Sequence, residues 1–229
     1  MMKKNRIWIV ILIVLIIGGC GIGIGTVLFR KEVPKQNPDE YAWISIQGTR
    51  IDGPVLQNAE DSTFYASHNE QGEEDSKGTF YTDSYNSRTF DDPITVVYGN
   101  NNADGSMFGE LYKYADSQYM TEHPEIQIIM DDMIYTYRIF AAYKTDNKHI
   151  MERFGSGKTE ENRKAYLDSI LKNRSMGVQI DQSVEVDSNS KILTLSTHVE
   201  GDDQSRFLVQ ACLEEKRNQS KIALKHKNK

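Results

Sequence analysis

Short runs of apolar and β-branched residues, separated by turn residues, dominate the chain from residue 43 onward. Runs of about four to eight such residues, bounded by Gly, Pro, Asn or Asp, are typical of strands. The pattern predicts a turn at Gly53-Pro54 and a hairpin turn at Asp131-Asp132. The predicted strands are 43–46, 79–81, 94–98, 126–130, 134–143, 184–186, 192–196 and 206–213. Many short strands with regular turn signals favour a closed β-barrel or a sandwich.

Two segments have helical spacing instead. Residues 107–119 and residues 159–172 both carry apolar side chains three and four positions apart, which predicts an amphipathic helix. The second segment begins with Glu160 and Glu161 and ends with Lys172, which complements the helix dipole. The sequence therefore predicts a mainly β domain to which helices are added.

An uncharged, mostly apolar run of 23 residues occupies positions 7–29. As a helix it would rise about 34 Å at ~1.5 Å per residue, enough to cross a hydrocarbon core of ~30 Å. Basic residues are more frequent before the run than after it, so we expect a transmembrane helix with a cytoplasmic N-terminus and an external C-terminal domain. A cleaved secretory signal and a lipoprotein signal ending at Cys20 are the alternatives.

The 229 residues are enough for one sizeable domain. We expect a cytoplasmic start and membrane anchor at 1–31, a linker and the start of an N-terminal helical region at 32–42, a barrel domain at 43–215 and a basic tail at 216–229. The net charge is −6, with +5 in 1–31 and +6 in 216–229, which leaves −17 for 32–215. This negative charge on residues 32–215 argues against a nucleic-acid partner, because phosphate binding needs a basic surface. The tail is predicted to stay solvated, and attraction to anionic wall polymers is an alternative.

The two cysteines of the sequence, Cys20 and Cys212, lie in very different surroundings, one in the apolar run and one near the end of the domain. We therefore expect no intramolecular disulfide, and no metal-type spacing of cysteines is present.

Five segments, in the same order along the chain, resemble class B sortases. They are residues 37–55, 97–111, 135–146, 159–172, and the strand 193–197 followed by Arg206. The resemblance runs from about Asn37 to Leu213. It implies an eight-stranded β-barrel and a role in anchoring proteins to the Gram-positive cell wall. It implies no cofactor and no metal.

The resemblance also implies a reaction and its partners. A sorting-signal peptide, with a motif related to Asn-Pro-x-Thr-Asn, is cut after its threonine, and the acyl group passes from a cysteine thioester to an amine on peptidoglycan or a pilin. The catalytic cysteine position corresponds to His198, the catalytic histidine position to Asn100, and the catalytic arginine to Arg206. The residues expected to line the substrate groove are Thr194, Leu195, Ser196 and Thr197.

Two of these three positions lack the chemistry that the reaction needs. A thiolate is intrinsically nucleophilic, whereas an acyl-imidazole formed on His198 would hydrolyse readily. The Asn100 amide forms hydrogen bonds but exchanges no proton near neutral pH. Arg206 still supplies a fixed cation with bidentate donors. One of the three catalytic roles is therefore retained.

No other residue is a good substitute for the nucleophile. Cys212 lies six residues beyond Arg206 on the same predicted strand, ~20 Å away at ~3.3 Å per residue, and is expected to be a small core residue. A pair formed by Ser196 and His198 on one strand face rarely aligns for attack. His198 is alternatively a solvated loop histidine, or a metal ligand together with Glu200, Asp202 and Asp203. The remaining histidines considered, His68, His123 and His149, are expected at the surface.

Two functions follow as hypotheses. The first is a catalytically degenerate sortase homologue that keeps the peptide groove and binds rather than cuts. The second is an active transpeptidase or hydrolase with altered catalytic residues. A signalling or structural ectodomain that does not bind sorting peptides is the third possibility.

Overall fold

The computed structural model describes residues 37–154 and 157–218. The strands are β1 (Glu40–Ser45), β2 (Asp52–Leu56), β3 (Phe80–Tyr81), β4 (Ile94–Tyr98), β5 (Glu125–Met130), β6 (Met133–Asp146), β7 (Gln179–Ile180), β8 (Ile192–Val199) and β9 (Asp202–Asn218). The helices are α1 (Ser117–Glu122), α2 (Ile150–Phe154) and α3 (Glu160–Leu171), and 3-10 turns occur at Phe64–Ala66 and Leu111–Ala115.

Several sequence predictions lie outside these residues. They are the membrane anchor, most of the linker, Cys20 and the tail beyond residue 218. Within 37–154 and 157–218, no helix is both long and apolar enough to span a bilayer.

Eight strands form a closed barrel in the order β5-β1-β2-β3-β4-β8-β9-β6, because β6 pairs back with β5. The pairs β2–β3 and β4–β8 are parallel, and the others around the barrel are antiparallel. The two-residue strand β7 adds to β6 at Ala141 and Ala142. The prediction of an eight-stranded barrel with added helices is confirmed.

The locally encoded elements agree well with the sequence pattern. Strand β4 has the predicted bounds. Strands β5 and β6 form the predicted hairpin, in which Asp131 has φ 47°. Aspartate tolerates this left-handed conformation better than most residues because its short polar side chain bonds locally. Helix α3 is also as predicted, with Thr159 as its N-cap accepting a hydrogen bond from Asn162 N at 3.2 Å.

Two strand-level predictions are wrong. Gly53 and Pro54 do not form a turn but lie inside β2, where Pro54 is the partner of Trp43 in the register. Residues 184–186 are not a strand, since turns precede and follow them. Asp181 accepts a hydrogen bond from Ser183 N and Asp187 from Asn189 N, both at 2.9 Å, and such side-chain turns compete with strand pairing.

The predicted helix at 107–119 is divided. Residues Leu111–Ala115 form a 3-10 turn, and α1 starts only at Ser117. Asp116 separates the two because it is extended (φ −98°, ψ 124°) and its carboxylate accepts a hydrogen bond from Gln118 N at 2.7 Å. An aspartate in this conformation is a preferred N-cap, so it starts a new helix instead of continuing the old one.

The barrel extends slightly beyond its predicted ends. Strand β1 begins at Glu40 rather than 43, and β9 spans Asp202–Asn218, beyond both the predicted strand 206–213 and the predicted domain end at 215. The described residues of the 32–42 segment form a turn followed by the start of β1, not a helix.

Two apolar clusters hold the fold together. One fills the barrel interior and includes Leu193, Leu195 and Phe207. The other lies on the outer face, where α2 and α3 cover β4, β6, β8 and β9, and it includes Ile192 and Leu208. Because side chains alternate along a strand, every second residue of β8 and β9 faces outward under or beside these helices. The candidate site lies on this outer face.

Candidate functional site

The floor of the site is formed by the ends of three neighbouring strands. Tyr98 of β4 pairs in register with Ser196 of β8, and His198 of β8 pairs with Arg206 of β9. Ser196 and His198 follow Ile192 by even steps, and Arg206 precedes Leu208 by two, so all three belong to the outer face. Two of the three predicted catalytic positions are therefore direct cross-strand neighbours.

His198 is exposed and lies in β8, one residue before its end, rather than in a loop. Partial burial, followed by the charge of Arg206, lowers the pKa of its imidazole below the usual 6.5. The ring is therefore neutral near pH 7. Its backbone carbonyl accepts a hydrogen bond from Tyr112 Oη at 3.3 Å.

Arg206 is half-buried, and its charge acts on several neighbouring groups. Burial raises the pKa of Tyr81 and of Tyr98, and the Arg206 charge opposes both rises. The same charge opposes protonation of His149 and His198. The charge of Arg206 thus reaches all four of these groups.

Asn100 performs a structural task. Its amide nitrogen donates to the backbone carbonyls of Ala66, Ser76 and Lys77 at 2.8, 3.3 and 3.2 Å. Its own backbone carbonyl accepts from Phe108 N at 2.9 Å. The side chain therefore fastens the loop after β4 to the loop before β3, and it makes no hydrogen bond to His198 or Arg206.

A glycine permits the turn that leads into this loop. A Cβ atom on Gly99 would lie 2.7 Å from Phe108 Cδ2 and 2.9 Å from Phe80 Cδ1. Only a residue without a side chain fits between these two buried rings. Thr197 Oγ1 donates to the Gly99 carbonyl at 2.8 Å and so ties the turn to β8.

The four residues expected to line a groove are all buried. Thr194 Oγ1 is held by Tyr166 Oη and Gln210 Oε1, both at 2.7 Å, and Leu195 points into the barrel interior. Thr197 is used by Gly99, and Ser196 is 2% exposed. These residues support the floor from below, and their side chains are not available to a peptide in this structure.

The geometry gives little support to Cys212 as a nucleophile or to a metal site beside His198. Cys212 is half-buried at the edge of the outer cluster instead of being a fully buried core residue, and burial raises its pKa. Asp202 is engaged by Lys144 Nζ at 2.8 Å and by Ser205 Oγ at 2.8 Å. Within the two described ranges, no group of three or more His, Cys, Asp or Glu residues is arranged to hold a metal ion.

The sequence prediction missed a titratable pair at this site. His149 Nε2 lies 2.9 Å from Oδ2 of the buried Asp83 and 3.3 Å from Tyr98 Oη. The hydrogen bond to Asp83 raises the pKa of His149. The exposed ring of Tyr85 lies 5.5 Å from that of His149. The two residues of the pair are 66 positions apart, so no local pattern could have revealed them.

The three histidines expected at the surface are partly exposed, and each also has a contact partner. His149 is paired with Asp83, His68 stacks on Phe64 with ring centroids 3.7 Å apart, and His123 Nδ1 lies 2.8 Å from the Gln47 carbonyl oxygen. The contacts of His149 and His123 join segments that the sequence pattern treats as independent.

Comparisons with known proteins agree on one family. Sortase B of Listeria monocytogenes is 34% identical over 169 residues, which cover 73% of this chain and 65% of that protein. A solved structure of Listeria monocytogenes sortase B is 30% identical with a TM-score of 0.64, covering 76% of this chain and 94% of that one. The structure of a Staphylococcus aureus sortase B–substrate complex is 26% identical with a TM-score of 0.68, covering 78% and 81%.

The chain spans just under two thirds of the length of the Listeria protein. No protein-family model matches it. The sequence identity and the shared closed barrel nevertheless lead to one assignment. The chain belongs to the class B sortase family.

Proposed function

We propose that the chain is a class B sortase homologue of the Gram-positive cell surface that binds sorting-signal peptides without cutting them. Residues 1–31 would anchor it as a single-pass membrane protein with the barrel outside the cell. The observation that carries the proposal is the pair of replacements at the catalytic positions. His198 stands where the resemblance places the cysteine, and Asn100 stands where it places the histidine.

The geometry around Asn100 supports this proposal. Its amide donates to three backbone carbonyls, and an amide has no proton to give to a leaving amine near neutral pH. His198 offers a neutral imidazole and no thiol. Without a thiolate the thioester intermediate of the family's reaction cannot form.

Peptide binding is supported by the relatives and by the retained arginine. A Staphylococcus aureus sortase B has been solved as a substrate complex, and a sortase B has been solved in complex with triglycine. We infer that a sorting-signal peptide binds the outer face of this chain near Arg206, and that an amine of peptidoglycan or a pilin is a further partner. The acidic barrel and a membrane anchor suit such a role at the wall.

A second candidate is a transpeptidase or hydrolase with altered catalytic residues. One observation favours it. His149, held by the buried Asp83 near Arg206, is an imidazole oriented by a carboxylate, and this is the arrangement of many general acids and bases.

Incubation of the purified full chain in detergent with a fluorogenic sorting peptide and triglycine separates the two candidates. We expect the peptide's fluorescence anisotropy to rise on binding, with no cleavage. Turnover that disappears in His198→Ala would overturn the proposal in favour of altered catalysis. Absence of binding would overturn both candidate functions. The matched control for binding is Arg174→Gln, which changes an exposed arginine beyond α3.

The double variant Asn100→His with His198→Cys probes peptide binding beside Arg206 directly. Formation of a covalent acyl-enzyme, detected by mass spectrometry, is expected if the peptide still binds in the productive position. Failure of this variant to react, with its fold intact, would contradict binding of the peptide in a productive position beside Arg206.

A further inference from the structure

His198 and Arg206 form an adjacent pair of unused hydrogen-bond donors. They are direct partners in the β8–β9 register, and side chains at such positions have Cβ atoms about 4.5–5.5 Å apart. Among the residues that the structure describes, neither side chain makes a hydrogen bond or an ion pair. Both reach solvent on the outer face, so an external ligand can meet them together.

The nearby acidic groups do not neutralise this pair. Asp83 is engaged by His149 at 2.9 Å, and Asp202 is engaged by Lys144 at 2.8 Å. Asp203 is exposed and favours protonation of His198 only weakly, since burial and Arg206 together lower the pKa of that ring. Within the described part of the chain, no carboxylate forms an ion pair with the Arg206 guanidinium.

The loss of the nucleophile changes which ligand suits the guanidinium best. In a cleaving enzyme such an arginine stabilises an oxyanion that exists only after attack. When no attack occurs, an intact peptide offers it a neutral carbonyl, whereas a carboxylate offers two charged oxygens in the geometry of a guanidinium fork. A neutral imidazole can donate one further hydrogen bond to the same anion.

We propose that His198 and Arg206 bind the free C-terminal carboxylate of a peptide that has been cut after its threonine, in preference to the uncut sorting signal. This inference rests on the proposed peptide-binding function. The reaction class that supplies the ligand is hydrolysis of the peptide bond after threonine. The chain would then retain the product of a cleaving enzyme.

The experiment compares two peptides that differ only at one end. Fluorescein-labelled Asn-Pro-Ala-Thr is prepared with a C-terminal carboxylate and with a C-terminal amide, and binding to the full chain in detergent is measured by anisotropy at pH 7. Because a bidentate charged contact is roughly twice as strong as a neutral one, we expect the acid to bind at least about tenfold more tightly. Arg206→Gln should remove the difference, and Arg174→Gln should keep it.

The possible outcomes test the preference for a carboxylate separately from the proposed peptide binding. Equal affinity for acid and amide would overturn the inference and leave peptide binding standing. Binding of neither peptide would overturn the proposed function as well. A preference that survives in Arg206→Gln would place the carboxylate elsewhere. His198→Ala, at an exposed position, serves as a second variant if Arg206→Gln fails to fold, and it should weaken the preference for the acid.

Discussion

Asn100→Ala should destabilise the barrel, although the resemblance to class B sortases predicts a catalytic position for this residue. The variant removes an amide whose two N–H groups are shared by the carbonyls of Ala66, Ser76 and Lys77. The bond to Ala66 is short, at 2.8 Å, and the other two are longer and face solvent. At about 1 kcal/mol for each net hydrogen bond, the expected loss is about 1–2 kcal/mol.

For a domain of this size such a loss lowers the Tm by about 3–6 °C, which scanning calorimetry resolves. Asn101→Ala is the matched control, because the neighbouring side chain makes no hydrogen bond among the described residues, and a change within about 0.5 kcal/mol is expected there. Equal stability of Asn100→Ala and wild type would refute a structural role for the amide. It would also remove one of the supports for an inactive site.

Two further predictions concern the packing around the site. Stability should fall as the pH rises above about 6.5, the ordinary pKa of histidine. The reason is His149, whose pKa in the folded protein is raised by its partner Asp83. The stabilisation from this pair is complete at pH values below the pKa of His149 in the unfolded chain, and it is lost as the pH rises through the pKa of His149 in the folded protein. His149→Gln should abolish that part of the pH dependence in urea titrations, and an unchanged profile would contradict the ion pair. Tyr166→Phe should cost about 1–2 kcal/mol, because its buried hydroxyl bonds Thr194 and Gln210. Tyr85→Phe, at a 52% exposed ring, should change the free energy of unfolding little, and equal losses in the two variants would refute this account.

Whether a feature could be predicted from the sequence depends on how far apart along the chain its contacting residues lie. Strand β4 and the hairpin turn at Asp131 are encoded by neighbouring residues, and both are as predicted. The amide of Asn100 reaches Ala66, 34 positions away, and His149 reaches Asp83 across 66. Contacts of this kind depend on how the closed barrel brings loops together, and no periodicity along the chain records them.

The groove residues show a second limit of sequence reasoning. Alternation along β8 correctly separates the two faces of the strand, but it does not reveal that α3 covers the outer one. Tyr166 of α3 reaches down to Thr194 and closes off the part of the floor that a peptide was expected to contact. Only the end of the strand, at His198, stays exposed. The local sequence therefore predicts on which face of a strand a residue lies, but it does not predict whether that residue is accessible to a ligand.

The residues at two of the predicted catalytic positions, His198 and Asn100, are not equivalent in the fold. His198 is exposed and makes no side-chain hydrogen bond within the described ranges, while the apolar clusters and the Tyr166 network lie behind it. The described contacts of the fold therefore do not require a particular side chain at position 198. Asn100 fastens two loops together, so its replacement by histidine would break those bonds. A substitution at 198 should therefore cost little stability, whereas a substitution at 100 removes hydrogen bonds that hold two loops together, so position 100 is the less tolerant of the two.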